Sequence, residues 1–298
     1  MDKTVGFVGL GIMGKPMAIN LVKAGYKVYG FDLNKGSIEA LQAAGGMGCG
    51  SIREVTEQCG LIITMLPNSP HVKQAVLGEG GIASSAKPGT LIVDMSSIAP
   101  GASKEIAQAI AEKGIHMIDA PVSGGEPKAV DGTLAIMVGG AQAHFDMARP
   151  LFDVLGSSAV LVGDIGSGNT CKLANQVIVA LNIAALSEGL LLAKCAGADP
   201  ERVFEAIKGG LAGSTVMNAK TPMMLQGNFQ PGFRIELHIK DMMNALDAGY
   251  QTGAPMPLSA MVMQMFQTLK NDDKAQLDHS ALALYYEKLT DETLKGSG

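Results

Sequence analysis

The chain lacks the residue patterns that mark several common kinds of functional site. Its cysteines, Cys49, Cys59, Cys171 and Cys195, show no paired short spacing, and its five histidines lie far apart in the sequence. Because a protein zinc site needs such ligands at short, paired spacings, we predict that the chain holds no metal ion. The cysteines are expected to be reduced thiols, as in most cytosolic proteins.

Two further absences narrow the class of partner. The formal net charge is −5 and the basic residues are scattered, whereas a nucleic-acid surface needs clustered Lys and Arg. No uninterrupted apolar run approaches the ~20 residues of a membrane span. The first predicted strand begins at Thr4, which leaves no room for a leader peptide. We therefore predict a cytoplasmic protein that binds neither nucleic acid nor membranes.

What is present is the composition of a globular protein of two ordinary domains. The chain has 298 residues, of which 47% are hydrophobic and 17% charged. Up to about Gly163, strand-type apolar runs alternate with helical patterns, which favours parallel strands buried on both faces. From Asp164 onward the strand signals vanish. We predict an α/β, Rossmann-type, doubly wound and mostly parallel sheet over residues 1–163, followed by an all-helical domain over residues 164–298.

The longest predicted helix, residues 169–196, opens the second domain. Its apolar residues fall on nearly every face. We therefore expect it to be buried all round, because it links domains or packs in a dimer. Further helices are expected at residues 199–208, 214–225, 233–252, 257–269 and 280–288. Residues 296–298 are left out of the fold prediction.

A glycine-rich turn follows the first predicted strand. Its sequence is Gly9-Leu10-Gly11-Ile12-Met13-Gly14, and a helical pattern follows it. In a dinucleotide site of this spacing, the first glycine permits a tight turn, the second admits the pyrophosphate, and the third allows close packing of helix on strand. Amides at the helix N-terminus then face the phosphates. We predict that these six residues bind a nicotinamide dinucleotide.

An acidic residue follows the second predicted strand. Asp32 comes 18 positions after Gly14, close to the ~20-residue spacing of the carboxylate that accepts from the ribose 2′-hydroxyl of NAD. A 2′-phosphate would be repelled there, so we predict NAD as cofactor. NADP is possible as a secondary cofactor through Lys35. The alternative for Asp32 is a helix cap or a turn former.

Other predicted loops leave the sheet at the same edge. Ligands of open α/β sheets bind beyond the carboxyl ends of the strands. This rule selects the Leu66-Pro67 and Ser96-Ser97 loops, and we predict Leu66, Pro67 and Ser97 as cofactor contacts. The alternative for the serines is ordinary helix capping. Ser123-Gly124-Gly125 offers a hydroxyl and unhindered amides for a substrate carboxylate, with a plain glycine turn as the alternative.

Three polar residues share one face at the start of the long helix. Lys172, Asn175 and Gln176 are spaced i, i+3 and i+4, and polar groups on an apolar helix need partners. Hydride transfer to a carbonyl leaves charge on oxygen, so a positioned donor must supply a proton. We predict Lys172 as this acid/base, aided by burial or by a neighbouring cation such as Lys240. The alternative is a lysine whose amine reaches solvent.

Together these motifs resemble those of the β-hydroxyacid dehydrogenases. The matching segments are residues 7–20, 119–125, 166–175 and 238–241, which are spread along most of the chain. The resemblance implies a short 3-hydroxy or 3-oxo acid as substrate and a helical C-terminal domain that forms a homodimer or homotetramer. It also implies Lys172 as catalytic acid/base, Asn175 as its substrate-orienting neighbour, Ser123, Gly124 and Gly125 as carboxylate binders, and Ser97 and Lys240 as cofactor contacts.

Alternatives remain at two points. Lys240 could merely pair with Asp241 or Glu236 on a solvated face. Gln176, a predicted substrate contact, stands where the 3-hydroxyisobutyrate branch of the family usually has Asn, and several segments resemble instead the branch that reduces tartronate semialdehyde. A cofactor-binding regulator without turnover is the non-enzyme alternative, against which the pairing of Lys172 with Asn175 argues.

Overall fold

A computed structural model describes residues 3–295 and shows two compact units that meet in sequence between Lys172 and Leu173. The first unit is built on a sheet and the second on helices, as predicted. The boundary between the units falls inside a helix, whereas the change of sequence pattern placed a boundary after residue 163. Residues 296–298 lie outside the described range.

Within residues 3–295, nine strands form one sheet. They are β1 (Thr4–Val8), β2 (Lys27–Phe31), β3 (Met47–Gly48), β4 (Leu61–Thr64), β5 (Leu91–Asp94), β6 (His116–Asp119), β7 (Val122–Ser123), β8 (Leu134–Gly139) and β9 (Gly156–Gly163). The order β3-β2-β1-β4-β5-β6 is parallel throughout. Strand β8 runs antiparallel to β6 and β7 and parallel to β9. The sheet is therefore mostly parallel.

Helices cover both faces of this sheet. They are α1 (Gly14–Lys23), α2 (Lys35–Ala43), α3 (Ile52–Gln58), α4 (Ser69–Leu77), α5 (Ile82–Ser85), α6 (Pro100–Ala111), α7 (Gly125–Asp131) and α8 (Gln142–Leu155). One apolar cluster joins Ile63 to Met17 of α1 and Phe145 of α8, and another joins Ile62 to Ile106 of α6. Consecutive residues of β4 thus face opposite layers, which explains the unbroken apolar runs.

One row of paired residues crosses the sheet where the strands end. Val8 pairs with Phe31 on one side and with Thr64 on the other, Thr64 pairs with Asp94, and Asp94 pairs with Asp119. The loops that follow these residues therefore leave the sheet at one edge. Strand β1 lies where the strand order reverses, which is the point where open α/β sheets bind ligands.

The second unit is helical. Its elements are α9 (Ser167–Cys195), which begins in the first unit, α10 (Pro200–Ile207), α11 (Thr215–Gln226), α12 (Ile235–Thr252), α13 (Pro257–Asn271), a 3₁₀ turn (His279–Leu282) and α14 (Ala283–Glu287). The side chain of Ser214 caps α11 by accepting from the Met217 amide at 3.0 Å, and Asp199 caps α10. Phe266 and Met242 lie in the apolar core of the unit, both 0% exposed.

The expectation that α9 is buried all round is wrong for a single chain. Ile178 and Leu192 are 60% and 71% exposed, and Ala185 between them is exposed as well. These residues recur every seven positions and so form one stripe of the helix. Ala180 and Leu190, on other faces, are buried. The apolar composition overstated the burial because the chain covers only part of the helix surface.

Helix α9 also has the length and composition of a membrane-crossing helix. It has 29 residues, and its most apolar window has a mean hydropathy of 1.8. In the structure 44% of that window is buried inside the chain. Length and composition alone do not separate such a helix from the core helix of a soluble protein, and its buried residues pack in the core of the second unit.

Candidate active site

The glycine turn between β1 and α1 is shaped by two close backbone approaches. Gly9 has a φ of +97°, and a Cβ there would collide with the Met65 carbonyl oxygen. A Cβ on Gly14 would collide with the carbonyl oxygen of Gly9. Because backbone atoms cannot move aside as flexible side chains can, only glycine fits at these two positions. Gly9 therefore lets the turn lie against the residue that follows β4, and Gly14 lets α1 begin directly against the turn.

The middle of the turn is open. Nothing lies within 4 Å of the position that a Cβ on Gly11 would take, and Ile12 is 66% exposed. The N-cap of α1, Met13, makes no side-chain hydrogen bond to the helix within residues 3–295, and the first turn carries no acidic residue. The first helix amides and the open backbone at Gly11 are therefore available to phosphates. These residues fit the pyrophosphate of NAD(P).

Asp32 lies beside this turn, at the end of β2. Its Oδ2 accepts from the Leu10 amide at 2.6 Å and its Oδ1 from the Asn34 amide at 2.7 Å. The cap of α2 is Asn34, whose Oδ1 accepts from the Gly36 amide. Asp32 is only partly buried, and each carboxylate oxygen has a second lone pair. The side chain can therefore orient the turn and still accept from a ribose hydroxyl.

The loops after β4 and β5 are linked to each other. The Leu66 amide donates to Ser96 Oγ at 2.9 Å, and the Leu66 side chain lies next to Gly9. Ser96 is 0% exposed, so it has a structural role, whereas Pro67 is exposed and Ser97 is partly exposed. The structure thus places the predicted cofactor residues of the first unit at one edge of its sheet.

A buried carboxylate that the sequence patterns did not single out supports these loops. Asp94 Oδ1 accepts from Thr64 Oγ1 at 2.8 Å and from the Ser96 amide at 3.2 Å. Burial raises the pKa of Asp94 to about 7, against the opposing effect of the Ser96 and Thr64 hydrogen bonds, and the nearby Asp119 adds to the rise. The signal in the sequence was an acidic residue that closes an otherwise apolar, buried strand.

The predicted carboxylate-binding loop follows β7. Gly124 and Gly125 have φ angles of 140° and 69°, and a Cβ on Gly124 would lie 2.6 Å from Lys128 Cδ. Ser123 is partly buried and Gly124 is exposed. The backbone here takes conformations that favour glycine, and it presents amides and a hydroxyl at the surface of the first unit.

Lys172 lies at the first turns of α9 and is buried, with 7% of its surface exposed. This burial disfavours the alternative of an amine that reaches solvent. Three residues earlier, the Asn169 amide donates to Asp119 Oδ2 at 2.6 Å. The Asn169 side chain accepts from the Ile98 amide at 3.0 Å and donates to Ser103 Oγ at 3.1 Å. The start of the helix is therefore held by β6, by α6 and by the loop between β5 and α6.

The predicted polar residues of the second unit form one connected network. Asn175 Nδ2 donates to Gln176 Oε1 at 2.9 Å, and Gln176 Nε2 donates to Asp241 Oδ2 at 2.6 Å. Lys240 Nζ lies 3.2 Å from Asp241 Oδ1. Gln176 and Asp241 are 4% and 1% exposed, so this is not a solvated face. Glu236 pairs instead with Arg234.

Asp241 is therefore a member of the candidate site that sequence reasoning considered only as a surface partner for Lys240. Its link to Gln176 joins residues 65 positions apart. The sequence signal was an acidic residue next to Lys240 within a helix that also carries the buried His238. In the part of the chain that the structure describes, no cluster of three or more His, Cys, Asp or Glu residues could hold a metal ion.

Comparisons with known proteins agree with this geometry. The model for the NAD-binding domain of 6-phosphogluconate dehydrogenase matches residues 4–163, and the model described as NAD-binding of NADP-dependent 3-hydroxyisobutyrate dehydrogenase matches residues 166–286. The chain is 44% identical to 2-hydroxy-3-oxopropionate reductase of Escherichia coli, over 97% of this chain and 99% of the relative. It is 40% identical to 2-(hydroxymethyl)glutarate dehydrogenase of Eubacterium barkeri, over 99% of each.

A solved structure extends the agreement over both units. The 3-hydroxyisobutyrate dehydrogenase of Mycobacterium tuberculosis with L-serine matches with a TM-score of 0.90 and 31% identity, over 96% of this chain and 99% of that chain. The matched models span both halves of the sequence, and the relatives match along nearly their whole length. The chain therefore belongs to the β-hydroxyacid dehydrogenase family of NAD(P)-dependent oxidoreductases.

Proposed function

We propose that this enzyme reduces tartronate semialdehyde, which is 2-hydroxy-3-oxopropionate, to D-glycerate with NADH. The observation that carries the proposal is the 44% identity, over nearly the full length of both chains, to a 2-hydroxy-3-oxopropionate reductase. Other relatives are named for different substrates, among them an NAD-dependent L-serine dehydrogenase of Pseudomonas aeruginosa at 32% identity. The substrate must therefore be argued from this chain's own residues as well.

The polar network at Gln176 supports a polar substrate. Tartronate semialdehyde carries a hydroxyl where the semialdehyde formed from 3-hydroxyisobutyrate carries a methyl group. Gln176 and Asp241 offer amide and carboxylate groups, which would be poor neighbours for a methyl group but can hydrogen-bond a hydroxyl. The 3-hydroxyisobutyrate branch usually has Asn at the position of Gln176. We therefore place 3-hydroxyisobutyrate dehydrogenase second among the candidate activities.

In the proposed mechanism each residue has one task. The bound NADH supplies the hydride that the aldehyde carbon receives. Lys172 donates a proton to the aldehyde oxygen as charge develops there, and its burial keeps competing water away. Ser123 and the amides of the two following glycines hold the substrate carboxylate. Asn175, on the same helix one turn after Lys172, orients the substrate together with Gln176.

The proposed preference for NADH rests on Asp32. Its carboxylate beside the glycine turn accepts a ribose hydroxyl and repels a 2′-phosphate. Lys35 is exposed nearby in sequence and leaves secondary use of NADPH open. The ratio of kcat/KM for NADH to that for NADPH tests the assignment, and a preference for NADPH would contradict it.

The decisive experiment combines one substitution with a substrate panel. Lys172→Ala should lower kcat by about 10²- to 10⁴-fold, the usual contribution of a general acid, with NADH binding unchanged. Lys194→Ala, which removes a lysine from the last turn of the same helix, is the matched control and should keep wild-type turnover. Retention of most activity in Lys172→Ala would rule out the mechanism.

The panel consists of tartronate semialdehyde, the semialdehyde of 3-hydroxyisobutyrate, and one longer 3-oxo acid. The highest kcat/KM should be for tartronate semialdehyde. A higher value for the methyl-bearing substrate would select the second candidate activity. Binding of NADH without turnover of any member would select the regulator without catalysis.

We further propose a cytoplasmic homo-oligomer, a dimer or a tetramer. The exposed apolar stripe on α9, which contains Ile178, Ala185 and Leu192, supports self-association because such side chains prefer to be covered. Light scattering coupled to size-exclusion chromatography measures the subunit number. A monomer at micromolar concentration would contradict the proposal.

A further inference from the structure

Two backbone amides near the start of α9 converge on one buried side chain of the sheet. Asp119, the last residue of β6, is 0% exposed. Its Oδ1 accepts from the Gly166 amide and its Oδ2 from the Asn169 amide, both at 2.6 Å. The two donors flank the first residues of the helix, where α-helices have unpaired amides. Asp119 therefore satisfies these amides from a different element of the fold.

The charge of Asp119 suits this position. In the ionised carboxylate both oxygens are acceptors, whereas in the protonated form one oxygen carries a proton and is a donor. The N-terminal end of a helix also favours a negative charge. Burial raises the pKa of Asp119 to about 6, and the hydrogen bonds from the Asn169 and Gly166 amides oppose that rise. The side chain is thus mostly ionised at neutral pH, as the two short hydrogen bonds require.

Glycines let the helix approach the strand at this point. A Cβ on Gly168 would lie 2.6 Å from the carbonyl oxygen of Asp119 and 2.9 Å from its Oδ2. A Cβ on Gly139 of β8 would lie 2.6 Å from the amide nitrogen of Gly168. Both glycines therefore lie at a backbone-to-backbone contact that leaves no space for a side chain. The start of α9 can occupy only a narrow range of positions against β6 and β8.

Asn169 fixes the same turn from a second direction. Its side chain accepts from the Ile98 amide, one residue after the predicted cofactor contact Ser97, and donates to Ser103 of α6. Asn169 is 1% exposed. The helix start is thereby connected to the loop that follows β5 as well as to the end of β6. Lys172 comes three residues after Asn169, so its Cα lies less than one turn from these contacts.

We propose that Asp119 is a positioning residue that fixes the first turn of α9, and with it Lys172, against the carboxyl end of β6. Asp119 is also four residues before Ser123, so one strand end determines both the lysine helix and the start of the proposed carboxylate loop. A displacement of about 1 Å in a catalytic group can cost about 10²-fold in rate. The inference rests on the role proposed for Lys172.

Asp119→Asn is the direct test, because it keeps the size of the side chain and replaces one acceptor oxygen by an NH₂ group. That group would face a backbone N–H, so one of the two hydrogen bonds is lost. We expect kcat per NADH-binding site to fall about 10- to 100-fold, with the KM for NADH within about twofold of wild type. The deuterium isotope effect with 4-deuterated NADH should rise toward its intrinsic value, because the substitution slows the chemical step and leaves product release unchanged.

A readout independent of activity is the exchange of the Gly166 and Asn169 amide hydrogens. In Asp119→Asn at least one of them should lose protection, while amides in the middle of the sheet keep theirs. A loss of structure alone would reduce the number of NADH-binding sites and would leave the isotope effect at its wild-type value. Unchanged exchange at both amides would overturn the proposal.

Gly168→Ala disturbs the same contact and leaves the Asp119 side chain chemically unchanged. Its Cβ would meet backbone oxygens, so the helix start must move, and kcat should fall as in Asp119→Asn. Gly189→Ala on the same helix is the matched control, because nothing lies within 4 Å of its Cβ position. If Asp119→Asn does not fold, the pair Gly168→Ala and Gly189→Ala decides the question.

The outcomes separate this inference from the proposed function. Loss of turnover in Lys172→Ala together with a wild-type kcat in Asp119→Asn and Gly168→Ala would overturn the positioning role and leave the proposed function intact. Retention of turnover in Lys172→Ala would contradict the proposed function. In that case, deprotection of the Gly166 or Asn169 amide in Asp119→Asn would support fixation of the helix start, and unchanged exchange would overturn it.

Discussion

Each unit of this enzyme buries an aspartate at a meeting point of several segments, but the surroundings differ. In the sheet unit, Asp94 accepts from the Thr64 hydroxyl and the Ser96 amide, and burial raises its pKa to about 7. In the helical unit, the two oxygens of Asp278 lie 2.9 and 3.1 Å from Lys220 Nζ. Burial alone would raise the pKa of Asp278, but His279 and Lys220 outweigh it and lower the pKa to about 2.

The difference shows that burial alone does not decide whether the pKa of a carboxyl group is raised or lowered. Asp278 also accepts from the amides of Gly232, Phe233 and Ser280, so a permanent charge ties together the segments around it. Among residues 3–295 no Lys, Arg or His pairs with Asp94, and its Oδ2 is buried without a hydrogen-bond partner. Asp94 is therefore close to balance between its charged and neutral forms near neutral pH. Asp278 stabilises the fold of its unit, whereas Asp94 supports the loops after β4 and β5, for which a role in cofactor binding is proposed.

The largest expected effect comes from the same substitution made in both units. Asp278→Asn leaves Lys220, 16% exposed, without its charged partner, and breaking a buried ion pair typically costs about 3–5 kcal/mol. Asp94→Asn keeps an acceptor oxygen and removes a poorly solvated charge, so we expect a change below about 1.5 kcal/mol at pH 7. Urea unfolding at pH 7 measures both. Equal losses of unfolding free energy in the two variants would mean that the two buried carboxylates contribute alike to stability.

The second prediction uses pH. Because the pKa of Asp94 is raised in the folded state, its contribution to stability is fully present below the ordinary value of 3.8 and is lost as the pH rises through about 7. A rise from 3.8 to about 7, at 1.36 kcal/mol per pKa unit, corresponds to on the order of 4 kcal/mol. Relative to Asp94→Asn, the wild-type enzyme should therefore lose stability as the pH rises from 4.5 to 8, which includes most of the range between the two pKa values. The loss in unfolding free energy should not exceed ~4 kcal/mol.

Asp278 should behave in the opposite way, which provides the control. Its lowered pKa means that its contribution is present above 3.8 and is lost as the pH falls through about 2. The titration of Asp278 itself should therefore add no slope from pH 5 to pH 8 to the difference in unfolding free energy between wild type and Asp278→Asn, and any slope there comes from the neighbouring His279. A flat difference between wild type and Asp94→Asn over that range would contradict the raised pKa of Asp94.

A third prediction separates stability from cofactor binding within the sheet unit. Gly11→Ala adds a methyl group in open space, so the melting temperature should stay within about 2 °C of wild type. The same methyl group would stand where the pyrophosphate approaches, and the Kd for NADH should rise about tenfold or more. Gly14→Ala is the contrast, because its Cβ collides with the Gly9 carbonyl and the fold itself should weaken. Unchanged NADH affinity in Gly11→Ala, measured by fluorescence titration, would place the phosphates elsewhere.

The sequence predicted the parts of this site that depend on local spacing. The six residues of the glycine turn, the acidic residue after the next strand and the shared helix face of Lys172, Asn175 and Gln176 all follow from the strand-turn-helix order or a helical period. The edge of the sheet could be predicted as well, because parallel strands end together. The fold class followed from the same alternation of patterns.

Contacts between distant residues could not be predicted in this way. Gln176 meets Asp241 across 65 positions, and Asp119 meets Gly166 and Asn169 across 47 and 50. No periodicity relates such residues, so their pairing depends on packing that only the folded chain shows. The elements β3, β7, α4, α5 and α7 could not be predicted for a related reason, since short elements near Gly and Pro have no readable period.

The smallest predicted effect tests whether distance or burial decides the strength of an ion pair. Lys73 and Glu105 on the sheet unit are 2.6 Å apart, closer than Lys220 and Asp278, but their side chains are 38% and 61% exposed. Water and salt screen such a pair, and the two long side chains lose entropy when they are held together, so Glu105→Gln should change the unfolding free energy by less than about 1 kcal/mol. The change should shrink further in high salt. A double-mutant cycle with Lys73→Met isolates the pair, and a coupling as large as that between Lys220 and Asp278 would mean that separation outweighs burial.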